Sequence, residues 1–476
     1  MNISMILDMA AAAEDRPVVT AGGRSLFTTE LAALARRAAR QFRGHTAVLY
    51  LGANHLAYTV ALFGAALAGV PFVPLNYRLG AGQLEALLAR HPGALVLRPE
   101  DFDTLLTADA SDDEAPGEVA WDGDAVAVII YTSGTTAEPK AALLRHRHLM
   151  AYLLNTQEFG SAEGEATLVS VPPYHIAGLT NLLSNFYSGR RIVYLSAFDA
   201  AEWLETVRRE RITHAMLVPT MLARIVEVVA GEDAGVPELR SLAYGGARTP
   251  RPVLERALRA FPHTGFVNAY GLTETASSVA VLGPQDHRTA LASAEPEVRD
   301  RLGSVGRALP GIDIEIRSEA GEPVAAGETG LVFVRGDQIS GEYGGRSALD
   351  AGGWFPTRDL GRLDADGYLY IEGRADDTII RGGENIAPAE IEDVLLAHPG
   401  VREAAVIGVP DPEWGQRLVA VLVGTGEPEE IREWVKQRLR SSKTPDLIVF
   451  RGELPRTETG KLLRRNLVAE VENTNA

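Results

Sequence analysis

The chain has no cysteine among its 476 residues. Disulfides, thiolate metal sites and a cysteine nucleophile are therefore excluded, and any thiol that reacts here must arrive with a substrate. Such a chain suits the cytoplasm. Positive charge is also scarce: Lys plus Arg is 46 against 63 for Asp plus Glu, a formal net charge of −17. Bulk charge of that sign does not hold nucleic acid or an anionic membrane. An anionic ligand such as ATP has to be bound by a few placed cations and backbone amides. The Walker pattern GxxxxGK[ST] is missing. The N-terminus lacks the basic flank of a signal peptide and carries Asp8 early. Long uncharged runs are nearly absent too. The one exception, Leu56 to Leu75, is broken by Gly64, Gly69, Pro71 and Pro74 into a helix near 56–68 and a strand near 71–75. It does not read as a membrane span.

What is present is a long chain with 46% apolar residues, enough for two to four structural units. Helical and strand patterns alternate. LFTTELAALARRAARQF reads as an amphipathic helix opened by a Thr cap, and HTAVLYLG as the strand after it. EWLETVRRERI with THAMLVP, and PRPVLERALRAF with GFVNAYG, repeat the pair. This alternation predicts an α/β fold, a large region of mostly parallel sheets covered by helices. Short alternating strands near residue 300, DIEIRS and GLVFVRG, predict a small β-rich unit. After Arg374 the pattern changes again, to the helices PAEIEDVLLAHP and EPEEIREWVKQRLRSS around the strands EAAVIGVP and QRLVAVLVG. We therefore divide the chain into an N-terminal domain, 1–375, and a small mobile α/β domain, 376–476. Residues 108–124 read as an acidic loop.

Four segments carry chemistry. In YTSGTTAEPK, Thr132, Ser133, Gly134, Thr135 and Thr136 lie between a buried strand and Lys140, a loop whose amides and hydroxyls suit a phosphate tail. In NAYGLTETA, Thr273 and Glu274 fall at a strand's carboxyl end, where α/β sheets bind ligands; Glu274 suits a magnesium ion, and Tyr270 offers a flat face to an adenine. Between 352 and 392, Asp359 could take two ribose hydroxyls and Arg374 the ribose or α-phosphate. Asp376 and Asp377 lie where a hinge would, and Gly382 and Gly383 let backbone approach a ligand. The last segment, LPRTETGKLLRRNL, presents Lys461 directly after a glycine.

In this order and at these separations, the four segments resemble the ATP-dependent acyl- and aryl-CoA synthetases. That group belongs to the adenylate-forming superfamily, together with luciferases and peptide-synthetase adenylation domains. The resemblance implies ATP, Mg2+ and coenzyme A as reactants and roles for particular residues. The 132–140 loop would hold the β- and γ-phosphates. Gly245, Gly246 and Ala247 would line the adenine and acyl site, with Tyr270 stacked on adenine. Thr273 would contact the α-phosphate, Glu274 the metal, Asp359 the ribose and Arg374 its support. Asp376 would be the hinge, and Gly382 and Gly383 would border the CoA tunnel. Lys461 would bridge the acyl carboxylate and the α-phosphate. His175, in VPPYHIAGL, would gate or polarise the acid. Where the family usually has glycine, this chain has Ala137 and Ala141, which disfavours φ > 0 in the loop.

Joining a carboxylate to a phosphate is mainly a matter of positioning and charge neutralisation, so no protein nucleophile is required. An Asp that would bind an α-ammonium is absent beside His175, and Leu179, Leu182 and Leu183 follow it, which favours a fatty, alicyclic or aryl acid. The rival readings are delivery of the acyl group to a carrier-protein thiol or an amine, and a non-catalytic nucleotide-binding module.

Overall fold

Alternating helices and strands in the first 282 residues build most of two large sheets, which later short strands complete. The computed structural model describes residues 1–107, 122–132, 139–457 and 460–474, so most of the predicted acidic loop lies outside them. One sheet orders its strands Arg307–Ala308, Ser277–Leu282, Gly265–Leu272, Ser241–Gly245, His214–Leu217, Ala166–Val169, Arg191–Tyr194, Pro17–Ala21 and Arg24–Phe27. Its strands from Gly265–Leu272 to Pro17–Ala21 run parallel; the outer partners are antiparallel. The second sheet has the parallel strands Leu95–Leu97, Val48–Tyr50, Phe72–Pro74 and Val126–Thr132, then antiparallel Lys140–Arg145, Glu342–Tyr343 and Arg346–Ser347.

The uncharged run becomes the helix Leu56–Ala68, which is buried almost all round, and the strand Phe72–Pro74. Gly69 ends the helix in the left-handed conformation at φ 72°. Among the described residues no helix is long and apolar enough to cross a membrane. The amphipathic helix Thr28–Phe42 differs from expectation at its start. Thr28 lies inside the helix and its hydroxyl donates back to the carbonyls of Glu14 and Arg16. Glu30 instead accepts from the Phe27 amide.

The β-rich unit is an antiparallel sheet ordered Asp313–Arg317, Gly330–Arg335, Phe355–Leu363, Leu369–Arg374. Beyond it, Val401–Asp411, Gly415–Gly424 and Leu447–Arg451 form a sheet backed by the helices Pro388–Leu396, Pro428–Lys436 and Arg464–Thr474. The second of these helices stops at Lys436, short of the predicted stretch. Residues 379–471 enclose two hydrophobic clusters of their own, and the other clusters end by Ile371.

Candidate active site

The site begins where Ser241–Gly245 and Gly265–Leu272 end side by side. A Cβ at Gly245 would lie 2.2 Å from the carbonyl oxygen of Ala269 on the neighbouring strand, so only glycine fits. Gly246 turns away at φ 83°, leading to Ala247. Gly265–Leu272 runs into a 3-10 turn, Thr273–Thr275, and returns antiparallel as Ser277–Leu282. That reversal is tight: a Cβ at Gly271 would lie 1.9 Å from the Ser277 carbonyl oxygen. Ala276 and Ser277 take positive φ values of 51° and 124°, costly for residues with a side chain. The strained turn tucks Glu274 in at 8% exposure. Its backbone carbonyl accepts from the amides of Ser340 (2.9 Å) and Gly341 (3.1 Å), and its Oε1 accepts from the Tyr343 hydroxyl.

Asp359 lies opposite Arg374 on the adjacent strand, 4% exposed. Arg374 Nη1 donates to its Oδ1 at 2.9 Å, and the Tyr270 hydroxyl donates to its Oδ2 at 2.5 Å. Burial raises the Asp359 pKa against the opposing pull of Arg374 and Tyr270. Burial and the Asp359 charge push the Tyr270 hydroxyl well above its ordinary value, so it stays a donor. Each carboxylate oxygen has a second lone pair left for a ligand hydroxyl. Tyr270 is thus tied at its edge to the predicted ribose-binding carboxylate.

Lys461 arrives from the other end of the chain. It sits on a turn closed by Thr457 N to the Lys461 carbonyl (2.7 Å) and Lys461 N to Thr457 Oγ1 (3.0 Å). Gly460 stands at φ 80°, and a Cβ there would lie 2.8 Å from Thr220 at the start of the helix Pro219–Val229. The Lys461 side chain still reaches solvent, yet surrounding protein and the nearby Arg374 lower its pKa, while Asp377, Asp359 and Glu274 pull it upward. The structure therefore brings Lys461, Asp359, Arg374 and Glu274 into one electrostatic neighbourhood.

Thr132 and Lys140 face each other across a hairpin. Ser133, Gly134, Thr135, Thr136 and Ala137 lie outside the described residues. Ala141 pairs with Tyr131 within the strand Lys140–Arg145 and is not among the residues at positive φ, so its side chain brings no backbone strain there. Tyr343 is the residue that sequence reasoning missed. Its ring lies under the Lys140 ammonium, 5.7 Å away, and its hydroxyl reaches Glu274, so it ties Lys140 to the strained turn. Arg145 fixes the short strand carrying it, donating twice to Glu342 at 2.8 and 3.0 Å. The available signal was a tyrosine in GEYGG, among glycines that permit close approach.

His175 precedes the helix Ile176–Tyr187 and packs on Tyr174 with ring centroids 4.6 Å apart. Burial lowers its pKa to about 4, so at neutral pH it is an uncharged imidazole, able to gate or hydrogen-bond but not to neutralise an anion. Leu179, Leu182 and Leu183 turn into the N-terminal core at 0–1% exposure, so they do not stand beside His175 as walls for an acid.

Gly382 and Gly383, at φ 56° and 83°, make the two-residue turn between Ile379–Arg381 and Glu384–Ile386, a geometry that requires both. Trp414 packs on Gly382, and Trp414 and Ile380 are exposed at 46% and 56%. Two adjacent aspartates face opposite ways. Asp376 pairs with Arg358 of the β-rich sheet at 3.7 Å, and Asp377 with Arg464 of the last helix at 3.5 Å. Arg358, beside Asp359, holds a left-handed φ of 64°.

Residues 7–343 match the AMP-binding enzyme family, and residues 390–461 the AMP-binding enzyme C-terminal domain. A feruloyl-CoA synthase from Amycolatopsis is 36% identical, covering 93% of each chain. A 2-succinylbenzoate–CoA ligase from Bacillus licheniformis is 33% identical, covering 95% of this chain and 96% of its own. Among solved structures, o-succinylbenzoate CoA synthetase from Bacillus subtilis in complex with its acyl-adenylate intermediate superposes with a TM-score of 0.83 at 30% identity, covering 97% of each chain. The same enzyme in complex with ATP and magnesium ion gives the same score and identity over 97% and 98%.

Proposed function

The chain belongs to the family of AMP-binding enzymes, and from that membership we propose its reaction: it is a carboxylic acid–CoA ligase of the AMP-forming kind. The acid's carboxylate attacks the α-phosphorus of ATP, the bond to pyrophosphate breaks, and an acyl-adenylate forms. The thiol of coenzyme A then attacks the acyl carbonyl, AMP leaves, and the thiol proton is released.

What supports this reading most is that Lys461 feels the charges of Arg374, Asp377, Asp359 and Glu274. Two anions must meet in the first step, and a cation set between them lowers that barrier. Lys461 takes that role, and Lys140 meets the phosphate tail. Asp359, held by Tyr270 and Arg374, takes the ribose. Gly245, Gly246 and Ala247 border the base, and Thr273 faces the α-phosphate.

Magnesium fits this donor set. Glu274 offers a single buried carboxylate with one oxygen beyond its bond to Tyr343. Among the described residues no cluster of three or more His, Asp or Glu forms a protein cage. A magnesium ion commonly takes one carboxylate, phosphate oxygens and water, and it would supply charge neutralisation on ATP.

Thioester formation needs the cation withdrawn and a path opened for the thiol. Asp376 serves as the hinge. The Gly382–Gly383 turn, with exposed Trp414 and Ile380 around it, is the face offered to CoA after rotation. ATP–pyrophosphate exchange across a panel of carboxylic acids, followed by assay of thioester with CoA, holo-carrier protein and amines, tests the reading. Exchange with no acid overturns it, and product only with carrier protein or amine moves the acceptor away from CoA.

A further inference from the structure

The helix Ile176–Tyr187 has two unlike faces. Leu179, Leu182, Leu183 and Phe186 enter the core. Thr180, Asn181, Ser184 and Asn185 share the opposite face, and all are at most 9% exposed. Buried polar side chains in such number are uncommon unless something satisfies them. Thr180 Oγ1 hydrogen-bonds Ser277 Oγ at 3.0 Å, three residues past Glu274, which sets this polar face against the strained turn of the active site.

A relay fixes the orientation of Asn181. Arg190 is paired with Glu165 at 3.0 Å, and its Nη1 donates to Asn185 Oδ1 at 3.2 Å. A guanidinium has donors only, so the Asn185 amide nitrogen must point the other way. It donates to Asn181 Oδ1 at 2.6 Å and to the Asn181 carbonyl at 2.8 Å. Asn181 Nδ2 is then directed away from Asn185, and it has no partner among the described residues. Ser184 Oγ, neighbouring it on the same helix face, has none among the described residues either. Two buried groups, one of them unambiguously a donor, are left for a ligand.

We infer that the acid carries a hydrogen-bond acceptor – a carbonyl, ether, phenolic or carboxylate oxygen – on the part remote from its reacting carboxylate, and that Asn181 Nδ2, with Ser184 Oγ, binds it. Asn181 lies six residues along the helix from His175, a rise of roughly 9 Å, room for a ring or short chain between the two ends. Ser184 is a specificity-determining residue alongside Asn181. The inference rests on the acid–CoA ligase reading and refines its substrate to an otherwise apolar acid with one distal acceptor.

The test is ATP–pyrophosphate exchange with matched acids: 3-phenylpropanoic acid against its 4-methoxy derivative, and straight-chain acids with and without a terminal ketone. The wild-type enzyme is expected to favour the acceptor-bearing member of at least one pair by about tenfold or more in kcat/KM, because a site with an unpaired buried donor rejects the analogue lacking the acceptor. Asn181→Leu, of similar volume, should erase that preference by lowering the acceptor-bearing acid alone. Ser184→Ala, which removes only a hydroxyl, should narrow it. Equal use of both members by the wild type, or an unchanged preference in Asn181→Leu, overturns the inference while leaving the ligase reading intact. Absence of exchange with every acid overturns both.

Discussion

Asp359 and Lys461 feel each other's opposite charge, but the protein holds them by different means. Asp359 sits on a buried strand, 4% exposed, between Tyr270 and Arg374 at 2.5 and 2.9 Å. Hydrogen bonds to a charged group are worth about 1.5–3 kcal/mol each. Lys461 comes on a turn whose unit meets the rest of the protein partly through exposed ion pairs. Arg248 pairs with Asp393 with side chains 47% and 51% exposed, Arg358 pairs with Asp376 at 3.7 Å, and Gly460 rests on Thr220. Exposed pairs of this kind contribute about 0–1 kcal/mol each. One half of the site is held by buried hydrogen bonds; the other, on the hinge we propose, is set down on it lightly enough to leave. A reaction that needs a cation for its first step and a thiol path for its second is served by that asymmetry.

The sharpest way to break this comparison is at Lys461. Lys461→Ala should lower ATP–pyrophosphate exchange by about 10²–10³, the usual loss for one preorganised electrostatic contact. Given preformed acyl-adenylate and CoA, the same variant should make thioester at near the wild-type rate. An equal loss in both half-reactions from a folded protein would mean that Lys461 is not confined to the first step.

On the fixed side, the corresponding change is Tyr343→Phe. It removes a hydroxyl from Glu274 but keeps the ring under Lys140. Loss of one hydrogen bond to a charged group predicts roughly a tenfold drop in exchange, with a higher magnesium requirement and little change in unfolding temperature. A magnesium titration of the exchange rate measures this. An unaltered magnesium dependence would detach Tyr343 from Glu274's function.

The sequence made some of this legible and hid the rest for physical reasons. Glycines, prolines and periodic patterns act locally, so the helix Leu56–Ala68, the strand pairs and the β-rich unit could be read from them. Asp359 and Arg374 could both be read as ribose-site residues, and their strands are neighbours in the chain as well as in the sheet. Tyr343 could not, since its importance arises from residues 69 and 198–203 positions away: Glu274 across a turn, and the 140–145 strand across a sheet edge. The leucines after His175 misled for a similar reason. Periodicity gives the two faces of a helix, but not which face meets the core and which meets the site.

Acidity should also divide the two regions. Burial lowers the pKa of His146, His148, His175 and His214 to about 4, and all four lie in the large region. The folded protein resists protonating them, whereas the unfolded chain binds protons below pH 6.5. Their contribution is therefore whole above pH 6.5 and lost as pH falls from 6.5 toward 4. At pH 5 each such histidine costs about 2 kcal/mol. Hydrogen exchange at pH 7 and pH 5 should show protection falling first in the large region, and His146→Gln should flatten the pH dependence. Earlier loss of protection in residues 379–471 would reverse the comparison.

The smallest effect is expected at the junction itself. Arg358 holds φ 64°, a conformation costing an ordinary residue about 1–2 kcal/mol, and its exposed ion pair with Asp376 returns about 0–1 kcal/mol. Arg358→Gly relieves the strain but gives the unfolded chain more freedom, worth about 0.5–1 kcal/mol in the opposite direction. Stability should then change by no more than about 1 kcal/mol. On the proposed hinge at Asp376, the lost ion pair bears only on the arrangement that sets Lys461 at the site. Exchange should therefore fall by about two- to fivefold relative to thioester formation, the equivalent of roughly 0.5–1 kcal/mol. Arg358→Lys keeps the charge and should keep the wild-type ratio. If both half-reactions move by the same factor in Arg358→Gly, the pair is a surface contact and the lightness of the junction lies in Arg248–Asp393 and Gly460 alone.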